Sequence, residues 1–330
     1  MTSVKIREIA IYHPENQVES EFYIEHYKKL HGEDYTHFIT NILGKDSRYI
    51  IDQDEENSLT MAIEASKLVL AKSTIKAQDL DMIIFATQVP EYIFPTNSVL
   101  VHRAIEASTN TGFLDVNANC SGMTSALDQA SRYLMANSHM NKLLLVGSDY
   151  LSLLANPEDS ITYSNFGDVA CAVLLEKTDE ETGFIDSIHC TNPSVFDKVT
   201  FPRNGLSKKI KEYDTSNYLN WKPFDGAVCM PDTYEMIDTL LERNHLQPQE
   251  IDAYCLSQFS ISNINIFQEH YHLNDEQMMY AGDRFGYTGT TSPLLALHEG
   301  IQNGRIKHGD TVLFWTVGIG YQLIAVLFKY

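Results

Sequence analysis

The order of apolar and polar positions along the chain predicts alternating strands and helices. Apolar runs at residues 4–12, 82–86, 113–116, 143–146, 169–175, 253–256, 311–315 and 321–328 read as strands. Between them, apolar residues recur at three- and four-residue spacing, predicting helices at 19–31, 58–70, 97–107, 121–135, 232–243, 264–272 and 292–303. Ser58 is placed to cap the second of these. Residues 44–52 read as a turn and short strand, and 179–220 as an irregular polar insert. Strand–helix alternation of this kind implies a mainly parallel sheet covered by helices.

The pattern occurs twice. Ile75-Lys76-Ala77-Gln78-Asp79-Leu80-Asp81 leads into one strand, and Leu246-Gln247-Pro248-Gln249-Glu250-Ile251-Asp252 leads into another, at an offset of 171 (252 minus 81). Ala126-Leu127 and Ala296-Leu297 recur inside helices, and Ala172-Val173-Leu174 and Ala325-Val326-Leu327 inside strands. The reading is an α/β chain of two halves, residues 1–178 and 179–330, the second carrying the insert. Two such halves would stack as five alternating layers, with a site between them.

Charge and cysteine usage narrow the partners. The 330 residues carry 24 basic and 44 acidic side chains, a formal charge of -20. That balance argues against nucleic-acid binding, which needs cations for phosphates. Five scattered cysteines cannot form a full disulfide framework and suit a reducing, cytoplasmic setting. No signal peptide and no span of about 20 apolar residues is evident, so no membrane contact is expected.

Cys120 is the candidate nucleophile. It follows the strand at 113–116 and a tight turn, and opens the helix at 121–135. A cysteine there faces free N–H groups and the positive end of the helix dipole, which lower a thiol's pKa. Loops of the second half would face it: Ser257-Gln258-Phe259-Ser260, the stretch from Arg284 to Gly289, and Val317-Gly318-Ile319-Gly320. A thioester carbonyl attacked by Cys120 needs oxyanion donors. The amides of Cys120 and Gly320 are the candidates. Other motifs fail: the glycines at 318 and 320 precede a strand rather than a helix, and Asp52, Asp54 and Glu56 lack the rest of a calcium loop. No metal and no bound cofactor is expected.

The motifs Asp115-Val116-Asn117-Ala118-Asn119-Cys120-Ser121-Gly122, Val146-Gly147-Ser148-Asp149, Phe166-Gly167-Asp168, Arg284-Phe285-Gly286-Tyr287-Thr288, the run from Asn303 to Asp310, and Gly318-Ile319-Gly320 together carry a resemblance. Over nearly its full length the chain resembles the beta-ketoacyl-acyl carrier protein synthase III family of the thiolase-like superfamily. The resemblance implies a five-layer αβαβα fold of duplicated halves. It implies a homodimer that loads an acyl group on the cysteine and condenses it with a malonyl thioester on acyl carrier protein. It also implies that Phe94 lies near the partner subunit's acyl pocket.

The chain departs from the family's pattern at the catalytic positions. Ser257 stands where the family has its catalytic His, and Tyr287 where it has its Asn. Family members primed by coenzyme A hold the adenine with a Trp and two Arg; Phe38, Ile42 and Ser160 fall at those places. No Lys or Arg occurs between Asn244 and Asp283, the family's carrier-docking segment. The dense basic cluster is Arg203, Lys208, Lys209 and Lys211, the candidate docking patch. His270, His272 and His298 are expected at the surface. Met123, Tyr163 and Phe224 join Phe94 as candidate acyl-tunnel lining.

Two functions follow from the resemblance. The first is a ketoacyl synthase III-like acyltransferase of fatty-acid-like or specialised-metabolite biosynthesis. It would form an acyl-thioester on Cys120 from acyl carrier protein or coenzyme A, with decarboxylative condensation in doubt. The second is a catalytically degenerate subunit that pairs, as a heterodimer, with an active homologue.

Overall fold

The computed structural model describes residues 3–212 and 216–330. Residues 213–215, within the insert expected at 179–220, lie outside the described residues. Two sheets organise the chain. The first runs Ser3–Tyr12, Val169–Thr178, Lys142–Asp149, Met82–Ala86, Gly112–Val116 across its width. Its Met82–Ala86 strand is parallel to both neighbours, while Ser3–Tyr12 and Val169–Thr178 pair antiparallel. The second runs Ala253–Leu256, Thr311–Gly318, Gln322–Lys329, Gly183–Thr191. Ala253–Leu256 lies parallel to its neighbour and the remaining pairs are antiparallel. An isolated parallel bridge, Tyr254 to Met278, stands in the second sheet where Gly112–Val116 stands in the first.

The repeat read in the sequence recurs in hydrogen bonds. The Asp81 N–H donates to Lys142 O at 2.9 Å and the Lys142 N–H to Asp81 Oδ2 at 3.0 Å. The Asp252 N–H donates to Thr311 O at 2.9 Å and the Thr311 N–H to Asp252 Oδ2 at 2.7 Å. A 3-10 turn precedes each aspartate, Ala77–Asp79 and Pro248–Glu250. In each, the last side chain accepts from the N–H before the turn, Asp79 from Lys76 at 3.2 Å and Glu250 from Gln247 at 2.7 Å.

Helices fill three layers around the two sheets. Gly122–Ala136 and Ser292–Gln302 lie between them, and their apolar residues share one core with Ile84, Leu145 and Val173 of the first sheet and Cys255, Phe314 and Val326 of the second. Ser58–Lys72 covers the outer face of the first sheet, and Met230–Arg243 with Ile261–Tyr271 that of the second. Along Gly122–Ala136, Met123, Ala126, Leu127, Ala130 and Leu134 are all fully buried, so the helical stripe is the seam between the sheets. Leu127→Ala would cost about 2–5 kcal/mol by emptying that seam.

Some local expectations are corrected. Asn57, not Ser58, caps Ser58–Lys72: its side chain accepts from Leu59 and Thr60 N–H at 3.0 Å, and Thr60 Oγ1 accepts from the Asn57 N–H at 2.8 Å. The helix expected to reach 107 ends at Ala104. The insert is not irregular throughout. Gly183–Thr191 is the edge strand of the second sheet, half-exposed, so its polar residues hid it. Asp186 accepts from Arg243 Nε at 2.7 Å, and Ser187 donates to Asp128 at 2.7 Å. His298 is buried rather than exposed, with Nδ1 2.8 Å from Glu299 Oε1. His270 and His272 are exposed as expected.

Candidate active site

Cys120 lies in a tight turn between Gly112–Val116 and Gly122–Ala136. Asn119 takes a left-handed conformation, φ 52°, which asparagine tolerates better than most residues. The Gly122 N–H returns to Asn119 O at 3.0 Å, and Ser121 Oγ donates to Ala118 O at 2.6 Å. Gly318 of the second sheet packs so close that a Cβ there would meet Ala118 O at 2.8 Å. Asn119 Nδ2 also donates to Ile319 O. The two sheets thus meet at the cysteine.

The helix terminus does not leave the thiol acidic. Thr290 Oγ1, from the second half, accepts the Met123 N–H at 2.7 Å and occupies the first turn. Burial raises the Cys120 thiol above its ordinary value, against the opposing pull of hydrogen bonds from Tyr287 and Gln88. Desolvation therefore sets the direction, upward, where a lowered pKa was expected.

The cysteine opens on a cavity of about 720 Å³, within the size range of small-molecule sites. Gln88, Ser257 and Tyr287 also line it. Ser257 ends the strand Ala253–Leu256, its N–H donating to Trp315 O at 2.9 Å. Its hydroxyl is buried without a hydrogen-bond partner. Behind it, the fully buried Gln258 ties the loop down, accepting from Ala281 N–H at 2.9 Å and donating to Leu256 O at 2.7 Å. Lys45 Nζ, also fully buried, donates to Gln258 O at 2.7 Å. Burial pushes that ammonium well below the ordinary lysine value.

Tyr287 is held by backbone on both sides. Its N–H donates to Asn165 O at 2.7 Å and its carbonyl accepts from Gly167 N–H at 3.0 Å. Gly286 before it has φ 71°, and a Cβ there would meet Asn165 O at 2.9 Å, so glycine is required for the chain to close in. Burial and the neighbouring Cys120 raise the Tyr287 hydroxyl well above 10, so it stays a donor. Ser257 is near enough to offset part of that rise, without hydrogen-bonding geometry.

Phe259 stacks on Trp221 with centroids 5.7 Å apart, and Trp221 stacks on Phe224 at 5.7 Å. Phe224 lines the cavity, together with Phe38 and Ile42. The other tunnel assignments are not met within this chain. Met123 is fully buried in the seam between the sheets, because its helix turns it away from the cavity. Tyr163 packs on Tyr23 and His26 instead, at 5.1 Å each. Phe94 is 87% exposed and lies outside the lining. Ile319 rather than Gly320 reaches the cavity, since Gly320 packs where a Cβ would meet Phe196 Cα at 2.4 Å.

Arg203 lines the cavity, but the rest of its cluster is partly engaged. Lys208 pairs with Glu212 at 2.6 Å and Lys209 donates to Ser216 O at 2.7 Å. Gln88 escaped the sequence reading altogether. Its side chain stands 3.6 Å from Cys120 Sγ, placed there by the loop after Met82–Ala86. No motif surrounds it; only the preceding apolar strand could have drawn attention to that loop. Among the described residues no group of three or more His, Cys, Asp or Glu could hold a metal ion, and no helix is long and apolar enough to cross a membrane.

Duplicated sheets with buried helices between them and a cysteine at their junction define a thiolase-like fold. The family model of 3-oxoacyl-[acyl-carrier-protein] synthase III matches residues 114–193, and that of its C-terminal part matches 241–330. A beta-ketoacyl-[acyl-carrier-protein] synthase III from Solibacter usitatus is 32% identical over 277 residues, 82% of this chain and 83% of that protein. The crystal structure of 3-oxoacyl-[acyl-carrier-protein] synthase III from Aquifex aeolicus superposes with a TM-score of 0.86 at 26% identity, covering 99% of this chain and 100% of that one. The priming beta-ketosynthase of the R1128 polyketide pathway shares the fold, with a TM-score of 0.88 at 17% identity over 99% and 96% of the two chains. The chain belongs to the 3-oxoacyl-[acyl-carrier-protein] synthase III family.

Proposed function

We propose that Cys120 is the nucleophile of this synthase III-type acyltransferase, and that it carries the acyl group as a thioester. The observation that supports this reading is the convergence of Gln88, Ser257 and Tyr287 with Cys120 on one largely apolar cavity. The thiolate attacks the donor's thioester carbonyl, the new C–S bond forms, and the donor's own C–S bond breaks. The departing thiolate takes up a proton in place of the one Cys120 gave to solvent. The Cys120 amide is the oxyanion donor in this reading; Gly320, packed against Phe196 outside the cavity lining, does not join it.

Ser257 and Tyr287, at the family's His and Asn positions, each bring one O–H and neither acts as a base near neutral pH. Acyl loading and transfer therefore suit this site better than decarboxylative condensation. In a condensing variant the same two hydroxyls would hold the enolate oxygen. The comparisons lend no support to a purely degenerate subunit.

The donor we favour is a phosphopantetheine-borne acyl group on a carrier protein. Apolar Phe38 and Ile42 line the cavity, and Arg203, with Lys208, Lys209 and Lys211 in the same segment, gives an acidic carrier a docking patch. We read residues 1–178 and 179–330 as two halves around the site. A homodimer is proposed on the edge strand Gly112–Val116, which leaves Phe113 and Leu114 exposed beside the loop of Tyr92, Ile93 and Phe94. Phe94 would there enter the partner's pocket. Five free cysteines suit the cytoplasm.

The test is product analysis with acyl-carrier and malonyl-carrier thioesters, using Cys120→Ala as control. Acyl transfer that vanishes in Cys120→Ala supports the reading. Transfer undiminished in that variant would contradict it.

A further inference from the structure

Asp149 ends the strand Lys142–Asp149 and is fully buried. Its Oδ1 accepts from Gln88 N–H at 2.8 Å and Thr87 Oγ1 at 3.1 Å. Its Oδ2 accepts from Gln88 Nε2 at 2.8 Å and Thr290 N–H at 2.9 Å. Three of these four partners are N–H groups, which can only donate; they favour the carboxylate against burial, which pulls the Asp149 pKa upward. The site is built from both halves. Gly289, at φ 63°, leaves the space the pair occupies: a Cβ there would meet Asp149 Oδ2 at 2.4 Å and Gln88 Nε2 at 2.8 Å.

A carboxylate cannot donate, so Asp149 fixes which end of the Gln88 carboxamide faces it. The NH2 end points to Asp149 with one hydrogen and leaves the second for Cys120 Sγ, 3.6 Å away. The Oε1 end lies 3.7 Å from the same sulfur and accepts the S–H of the resting thiol. One side chain thus meets both protonation states, but binds the thiolate more strongly, because a bond to the ionised sulfur is charge-assisted.

We infer that Gln88, locked by Asp149, stabilises the Cys120 thiolate in the place of a catalytic imidazole. The inference rests on the reading of Cys120 as nucleophile and adds the residue that prepares it. Gln88 touches the reacting atom, while Asp149 is a positioning residue that acts through it. The titratable groups that bear on the thiol are Asp149, from the neighbouring strand, and Tyr287, from the second half, with Ser257 beside Tyr287. Asp149 as an anion opposes thiolate formation, so the gain comes from the N–H of Gln88 and not from charge.

The experiment is the rate of iodoacetamide alkylation of Cys120 against pH, read by peptide mass so that the other four cysteines do not interfere. Wild type is compared with Gln88→Met, which keeps the volume and loses both ends of the amide, and with Gln88→Asn, which is too short to reach. The midpoint should rise by about one pH unit in both, a roughly tenfold slower reaction near pH 7.5, with the high-pH plateau unchanged. Midpoints that coincide with wild type in either folded variant overturn the inference, as does a loss that is equal at every pH. Neither result depends on an acyl donor, so the acyltransferase reading stands or falls separately by product analysis.

Discussion

The ring of Phe259 stands edge-on to that of Tyr287, with centroids 5.0 Å apart and planes at 78°. Phe166 closes the other side at 6.2 Å. Tyr287 is therefore held as a ring by packing, and its hydroxyl is free to serve the thiol. Tyr287→Phe should keep the melting temperature and slow acyl loading of Cys120 about tenfold, through loss of one hydrogen bond to the sulfur. Tyr287→Ala should also destabilise the fold by about 3–5 kcal/mol. Thermal melts beside loading rates separate the two effects.

Trp221 bridges Phe259 and Phe224 across the cavity wall. Trp221→Ala should enlarge the cavity and weaken its grip on an acyl chain. The expected signature is a KM raised several-fold for long acyl donors with kcat changed less, measured across donors of increasing length.

Asp168 is buried and its carboxyl is pushed up to about 6 by desolvation, although Ser152 and Ile51 donate to it. Its unfolded value is near 3.8. A folded value above the unfolded one means that the native state binds the extra proton, so stability contributed by this group is lost as pH rises through 6. Between pH 7 and pH 5 wild type should gain roughly 1 kcal/mol relative to Asp168→Asn. Denaturant melts of both proteins at the two pH values measure the gap; a gap that shrinks on acidification contradicts the assignment.

Much of the architecture was legible because burial and periodicity coincide. The strands at 82–86 and 253–256 keep their predicted limits, since each is a short fully apolar run or nearly so between turn residues. The duplicated Asp81 and Asp252 were visible because each serves one repeated task. What escaped was whatever depends on neighbours brought in by the fold. Gly183–Thr191 is an edge strand that meets helices through polar residues, Asp186 with Arg243 and Ser187 with Asp128, so Asp186, Ser187 and His189 read as loop. Met123 has tunnel chemistry but the seam's address, and Gln88 gains its meaning from Asp149, 61 residues on.

The edge strand bears on assembly. Phe113 is 47% and Leu114 43% exposed, on a strand with a single neighbour. Phe113→Lys should convert the proposed homodimer to a monomer, visible by sedimentation or size-exclusion mass, and should leave the far-ultraviolet circular dichroism intact. A wild-type chain that is monomeric at micromolar concentration would refute that part.

The central claim is that Cys120 becomes acylated. Intact-protein mass after exposure to a panel of acyl-carrier and acyl-coenzyme A thioesters tests it most directly. The account predicts a gain of one acyl group on wild type with carrier-borne donors and none on Cys120→Ala. An unmodified wild-type protein with every donor, or the same adduct on Cys120→Ala, would contradict it.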